Sequence, residues 1–289
     1  MSIKTLKIGI VGHGFVGKAT EFGFLTPSTE IYAVDPCYGT TIESMCQTMT
    51  PDLLFVSVPT PMGSDGTIDS TIIESAFHDI TQHCISRPIV VVKSTVTIDV
   101  LNRLEDIYDR IVYNPEFLTE RNANLDFVMA DFLILGGNDM NDLNYVEAAY
   151  KDYSRCNPCP VFKVDIEAAS MVKYTLNTFM AMKVLFFNQI NDIYNKCGTD
   201  TPWESFIDIM KADSRVGNTH MSVPGPDGRR GYGGACFPKD TAALIRYARN
   251  IEAPITMLEE VVRKNQEIRN QYDDLHDREK SQNVKFDII

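Results

Sequence analysis

The sequence predicts an α/β chain: a doubly wound parallel sheet in the N-terminal half, followed by an all-helical segment built on one long helix. Three observations carry that expectation. Short apolar runs alternate with helix-like stretches through the first half, the pattern of parallel strands joined by crossover helices. A glycine turn, Gly12-His13-Gly14-Phe15-Val16-Gly17, directly follows the first run and opens a helix. From Ile166 to about Cys197 there is neither glycine nor proline, and apolar residues recur at helical spacing.

Taken in order, strands are expected over residues 6–11, 30–34, 53–58, 89–92, 111–113 and 132–135, with 161–164 closing the first half. The apolar residues of the long helix, among them Met171, Val172, Tyr174, Leu176, Phe179, Met180, Val184, Leu185, Phe186 and Phe187, go most of the way round it. Such a helix must be enclosed, by its own domain and, as an added inference, by a second subunit in a homodimer. Pro202 opens a shorter helix to about Lys211. A loop then runs from Asp213 to Ala235, with five glycines and two prolines between Val223 and Ala235, and a loop of this length in a compact domain is usually functional or disordered. Helices resume over about 239–250 and 255–270, broken by Pro254, and the tail from Gln271 is mostly polar. The expected domains are 1–164, 165–271 and a tail, 272–289.

Hydrophobic residues make up 44% and charged residues 23%, which suits a soluble globular protein, and no apolar run approaches a membrane span. Met1 leads directly toward a strand with no signal core, so a cytoplasmic location is expected. Seven irregularly spaced cysteines fit a reducing compartment rather than a disulfide framework. The lone Cys156-Asn157-Pro158-Cys159 pair is too little for a zinc site, and no metal is expected. A net charge of −12 argues against nucleic acid as the main partner.

The glycine turn has the context of a dinucleotide fingerprint. Gly12 permits the tight turn, Gly14 lets a pyrophosphate approach the backbone, and Gly17 lets helix and strand pack closely, with the phosphates at the helix N-terminus. Asp35 ends the second strand, where a carboxylate can accept both ribose hydroxyls, which selects NAD over NADP; an acidic turn residue before Pro36 is the plainer alternative. His13 reads as a loop residue rather than a catalytic one.

The second chemical signal is Gly231-Tyr232-Gly233-Gly234-Ala235-Cys236-Phe237-Pro238-Lys239-Asp240. A thiol becomes a nucleophile when a cation or a helix N-terminus favours its thiolate, and Lys239 with a helix starting near Asp240 supplies both kinds of neighbour. A buried structural thiol is the alternative. Lys173 and Asn177, four apart on the long helix, project from one face and can address one substrate atom together.

With these motifs the chain resembles the UDP-glucose/GDP-mannose dehydrogenase family over about residues 3–270. Lys93-Ser94-Thr95 looks like the family's Lys-Ser-Thr strand end, and Pro115-Glu116-Phe117-Leu118-Thr119-Glu120 like its Pro-Glu-Phe-Leu-x-Glu segment. Lys173 and Asn177 match its Lys-x-x-x-Asn pair, Asp213-Ser214-Arg215-Val216-Gly217 its Asp-Pro-Arg-Ile-Gly, and residues 233–240 its cysteine loop. The resemblance implies a Rossmann-type NAD domain and four-electron oxidation of a nucleotide sugar at C6. In that scheme Asp240 and Thr95 hold a water that takes the hydroxyl proton, and Lys173 and Asn177 stabilise negative charge. Cys236 carries the thiohemiacetal and thioester, Glu120 is the hydrolytic base, and Glu116 steadies Lys173 or the water. It further implies that Gly12, Gly14, Phe15, Val16, Gly17, Asp35, Pro59, Thr60, Thr95 and Lys239 hold NAD. Phe117, Leu118, Lys173, Asn177, Tyr232, Gly233 and Gly234 would line the substrate, with Arg215 reaching it from a partner subunit and Arg229 and Arg230 near its diphosphate.

Two departures stand out. Family members continue into a third domain, of which residues 284–289 would supply at most one strand, and Thr97-Ile98-Asp99 replaces the usual proline and glycine after the Ser-Thr pair. UDP-glucose is preferred over GDP-mannose as substrate by family prior. A β-hydroxyacid dehydrogenase, which shares the Lys-x-x-x-Asn helix but uses no thiol, and a catalytically idle NAD-binding interaction protein are the rival readings.

Overall fold

The computed structural model describes residues 5–286, so the first four and last three residues, including part of the 284–289 segment, lie outside it; 284–286 form no strand. The chain divides into two compact units: one runs to Thr60 and resumes over Asp69–Lys173, the other takes Pro61–Ile68 and everything from Tyr174.

The first unit contains β1 (Leu6–Val11), α1 (Phe15–Phe24), β2 (Thr29–Val34), α2 (Ile42–Thr48), β3 (Leu53–Val56), α3 (Thr71–His83), β4 (Ile89–Val92), α4 (Ile98–Ile107), β5 (Ile111–Tyr113), α5 (Ala123–Val128), β6 (Leu133–Gly136), α6 (Met140–Tyr153), β7 (Val161–Val164) and the start of α7 (Ile166–Tyr194). The strands form one sheet in the order β2-β1-β3-β4-β5-β6-β7. Every residue of β3 and β4 is buried, which is why these runs are apolar on successive positions rather than alternately: helices cover both faces. Phe24, Phe55, Phe127 and Tyr150 fill the space between sheet and helices with ring centroids 5.0 to 6.3 Å apart. Each such side chain contributes roughly 1.5–3 kcal/mol by leaving water.

The sheet is mixed where the sequence predicts a parallel one. β6 runs antiparallel to β5, through the pair Tyr113 and Gly136, and parallel to β7. The connection, residues 114–132, is long enough for a crossover, but its one α-helix, α5, has six residues and rises only about 9 Å, and the rest is turn and extended chain. Between β6 and β7 the 14-residue α6 returns the chain to start a parallel neighbour.

The second unit is helical: the rest of α7, then α8 (Trp203–Ala212), α9 (Phe237–Asn250), α10 (Thr256–Arg269) and α11 (Asp277–Ser281). Phe187, Ile207 and Met221 form a small core, flanked by the rings of Trp203 and Phe206. The long helix is not closed in on all sides. Tyr174, Ala181 and Leu185 are buried, while Val172, Phe179, Phe186 and Ile193 remain 36, 56, 57 and 65% exposed at a strict seven-residue spacing. Among the described residues no helix is long and apolar enough to cross a membrane.

Candidate active site

In the first unit β1 is flanked by β2 on one side and β3 on the other, and the crevice beyond the carboxyl ends of β1 and β3 is where sheets of this kind bind ligands. The glycine turn sits there. Gly12 has φ +86°, and a Cβ on it would lie 2.8 Å from the backbone of Ser57 and Val58; its N–H donates to the Val34 carbonyl at 2.9 Å. A Cβ on Gly17 would lie 2.2 Å from the Gly12 carbonyl oxygen, so the start of α1 rests directly on the turn. Gly14 is different: a Cβ there would meet nothing within 4 Å. It is the N-cap of α1 and offers no side-chain acceptor to the helix end. Two glycines are thus required by packing, and the third leaves space before a helix N-terminus, which fits a pyrophosphate.

Asp35 follows β2 beside this turn. Its carboxylate accepts from the His13 N–H at 2.7 Å and the Cys37 N–H at 2.9 Å. Burial pushes its pKa up, but these backbone donors outweigh that and hold it below the usual carboxylate value. His13 is locked between the Tyr38 hydroxyl and Glu21, both at 2.8 Å, a loop-bracing role. Thr60 ties the end of β3 to that of β4 by donating to the Thr95 carbonyl at 2.9 Å, with exposed Pro59 beside it. Phe15 and Val16 form the first turn of α1.

The carboxyl end of β5 leads to a buried polar cluster. Lys173, 2% exposed, donates to the carbonyl oxygen of Glu116 and, at 3.3 Å, to its Oε1; the other carboxylate oxygen accepts from the Leu118 N–H at 2.7 Å. The Phe117 ring lies 5.2 Å from the same ammonium. Glu116, Phe117, Leu118 and Lys173 therefore come together, whereas Glu120 stands exposed in the short turn Glu120–Asn122. A second buried lysine, Lys93, donates to Asn114 Oδ1 at 2.9 Å, which also accepts from the Tyr150 hydroxyl at 2.7 Å.

In the second unit Cys236 is the N-cap of α9, partly exposed, with Pro238 at the second helical position. One turn on, the Asp240 N–H donates to the Cys236 carbonyl at 2.8 Å, and the Asp240 carboxylate, 1% exposed, is held by Asn177 Nδ2 at 2.6 Å and Lys239 Nζ at 2.7 Å. Lys239 is thus buried against Asp240 within the site. Lys173 and Asn177 remain one turn apart on α7. A cleft of about 500 Å³ borders the loop before Cys236, lined among others by His220, Pro224, Tyr232, Gly233 and Phe237. Arg215 folds back on Asp213 with its guanidinium largely exposed. Arg229 is bonded to Asp274, and Arg230 to Asp192 and the Asn188 carbonyl.

Sequence reasoning missed the buried groups that shape this loop, Asn188, Asn265, Arg269 and Glu279. Only one local signal was available: a row of glycines at which side chains from elsewhere must approach the backbone.

Comparison with known proteins bears on this geometry. Residues 37–154 match the NAD binding domain, and residues 167–267 the central domain, of the UDP-glucose/GDP-mannose dehydrogenase family. The chain is 30% identical over 300 residues to the UDP-glucose 6-dehydrogenase YwqF of Bacillus subtilis, covering 90% of this chain and 66% of that protein. It spans between 47 and 66% of the length of the curated relatives YwqF and TuaD. In fold it is similar to a UDP-glucose dehydrogenase from Pyrobaculum islandicum (TM-score 0.76, 24% identity, covering 92% of this chain and 69% of that one). It is also similar in fold to 3-hydroxyisobutyrate dehydrogenase of Mycobacterium tuberculosis (TM-score 0.72, 13% identity, 98% and 97%). Two adjoining models of one family account for most of the chain, and the glycine cradle has the shape its cofactor requires: the chain belongs to the UDP-glucose/GDP-mannose dehydrogenase family and carries that family's NAD-binding domain.

Proposed function

We propose that this chain oxidises a nucleotide sugar at C6 to the uronate, with UDP-glucose as the substrate and Cys236 as the nucleophile. The observation that carries the reading is the setting of Cys236: a thiol at the N-cap of a 14-residue helix, one turn from a carboxylate gripped by Asn177 and Lys239. The two-electron oxidation of a simple alcohol requires no such thiol, although the fold is also similar to that of a 3-hydroxyisobutyrate dehydrogenase.

Bound NAD would supply the hydride acceptor, a fresh molecule for each of the two oxidations. The chain's own residues do the rest. In the family's scheme a water steered by the Asp240 carboxylate takes the proton of the C6 hydroxyl, and the α7 donors Lys173 and Asn177 stabilise the alkoxide. The Cys236 sulfur then adds to the aldehyde carbon, forming a C–S bond and a new oxyanion on the same donors. Loss of the second hydride leaves a thioester. Water then adds to its carbonyl, losing its proton to a carboxylate base, and the Cys236 thiolate departs, releasing the carboxylate; Glu120 is the residue that the family resemblance offers as that base. Glu116 contributes by holding the Lys173 ammonium in place. Gly14 admits the pyrophosphate on the turn that Gly12 and Gly17 allow to pack, Asp35 receives the ribose, and the cleft lined by Tyr232 and Gly233 admits the sugar nucleotide.

We further read the exposed stripe Val172, Phe179, Phe186 and Ile193 as the contact with a second copy, since a seven-residue apolar repeat stays on one side of a helix and drifts only about 20° per heptad. Light scattering on Phe179→Glu/Phe186→Glu against the native chain tests this, and monodisperse native monomer overturns it.

The function is tested by incubating the protein with NAD and UDP-glucose, GDP-mannose or neither. Two NADH per UDP-glucose, lost in Cys236→Ser, is expected; oxidation of a small β-hydroxyacid that survives Cys236→Ser would replace this reading with the simple dehydrogenase.

A further inference from the structure

The tail after α10 reads in the sequence as polar surface, yet Glu279 is completely buried. Its position explains why. Three amides of the segment entering Cys236 are taken by buried side chains from three helices. Gly231 N–H donates to Asn188 Oδ1 at 3.0 Å, Tyr232 N–H to Asn265 Oδ1 at 2.8 Å, and Gly234 N–H to Glu279 Oε1 at 3.0 Å. Asn188 and Asn265 are neutral amides and cost little to bury once bonded. A carboxylate costs several kcal/mol unless it is matched by charge and donors, and here it is: Arg269 Nη2 donates to the same Oε1 at 2.8 Å, and the His276 N–H to Oε2 at 2.8 Å. The other arm of Arg269 reaches Asp227 Oδ2 at 2.8 Å, at the start of the same glycine-rich loop. Gly233 fits between because a Cβ there would lie 2.3 Å from Arg269 and 2.5 Å from Glu279.

We propose that Glu279 is a positioning residue for Cys236: by fixing the Gly234 amide it holds the turn, and through it the thiol, at the head of α9. This rests on the reading of Cys236 as nucleophile. Gly234 has φ +78° and no side chain, so without its acceptor little else in the residue restrains the backbone two positions before the sulfur.

Two measurements test it. Hydrogen exchange on the native protein should show the Gly234 amide protected at least about 100-fold against the free-peptide rate. Glu279→Ala should change the rate of Cys236 alkylation by iodoacetamide at least about fivefold, with a shifted pH profile, while exposed Cys197 reacts as before and NAD binding is unaltered. Glu279→Gln, which keeps an acceptor for Gly234, should restore the rate to within about twofold. Free exchange of Gly234 in the native protein, or a folded Glu279→Ala whose Cys236 reacts at the native rate, overturns the proposal. Should the native protein turn over no sugar nucleotide, the functional reading fails, and the exchange and alkylation results still decide the role of Glu279.

Discussion

Replacing Lys93 by methionine should stabilise the first unit at neutral pH and destabilise it in alkali. Lys93 is 3% exposed at the end of β4, and burial pushes its pKa down to about 8, with the Glu116 charge only partly opposing this. In the unfolded chain a lysine titrates near 10.4. The gap of about 2.5 units, at about 1.36 kcal/mol each, means that the folded state carries a penalty of about 3 kcal/mol wherever both states are protonated, which is below pH 8. Between pH 8 and about 10.4 the folded protein has released the proton and the unfolded chain has not, so the penalty fades and this residue's contribution to stability rises with pH. Methionine removes the charge at similar volume. It also forfeits the bond to Asn114, about 1 kcal/mol, although Asn114 Oδ1 keeps the Tyr150 hydroxyl. The net expectation for Lys93→Met is a gain of about 2 kcal/mol at pH 7 that becomes a loss of about 1 kcal/mol by pH 10.4. Urea unfolding by far-ultraviolet circular dichroism at pH 7, 8, 9 and 10 measures it, while the chain's single tryptophan, Trp203, reports the second unit separately. The Cys156 thiol is coupled in charge to Lys93, so the comparison is made with Cys156→Ser in both chains, and the difference then reports Lys93. A difference that does not vary with pH, or a variant weaker than native at pH 7, refutes the reasoning.

Three other substitutions probe the two binding clusters. Gly17→Ala drives a Cβ to 2.2 Å from the Gly12 carbonyl and should both lower the Tm of the first unit and weaken NAD binding at least about tenfold by calorimetry. Gly14→Ala, whose Cβ has open space, should leave the Tm unchanged and weaken NAD alone, so equal Tm losses in the two would count against the cradle. Glu116→Gln leaves the buried Lys173 ammonium without its carboxylate and should cost about 3 kcal/mol in urea unfolding, largely recovered in the double variant with Lys173→Met.

What was legible in the sequence was whatever local chain chemistry alone decides. Gly12 needs a positive φ and Gly17 a bare Cα whatever lies farther along the chain, and the gap from Ile166 to Cys197 without glycine or proline leaves a helix little alternative. The direction of β6 was not legible, because it depends on where α5 packs rather than on any local pattern: the Phe127 ring lies against the bare Cα of Gly23 on α1. Nor was the open stripe on α7, since composition shows that a helix is apolar but not which of its sides neighbours cover.

Glu279 shows the same limit at the site itself. In sequence it stands among Asp277, Arg278, Lys280 and Ser281, company that marks a solvated turn, and local reasoning assigns it to water. Its burial follows from Arg269, which has already been taken out of solvent by Asp227 and by the Tyr272 ring 5.7 Å away. An arginine enclosed with one carboxylate satisfies only part of its fork of donors, and the remaining donors make the surroundings favourable for a second carboxylate that would be costly there alone. The pattern that would have revealed Glu279 is therefore not around residue 279 at all. It lies in Gly233, where the absence of a side chain makes room for both charges.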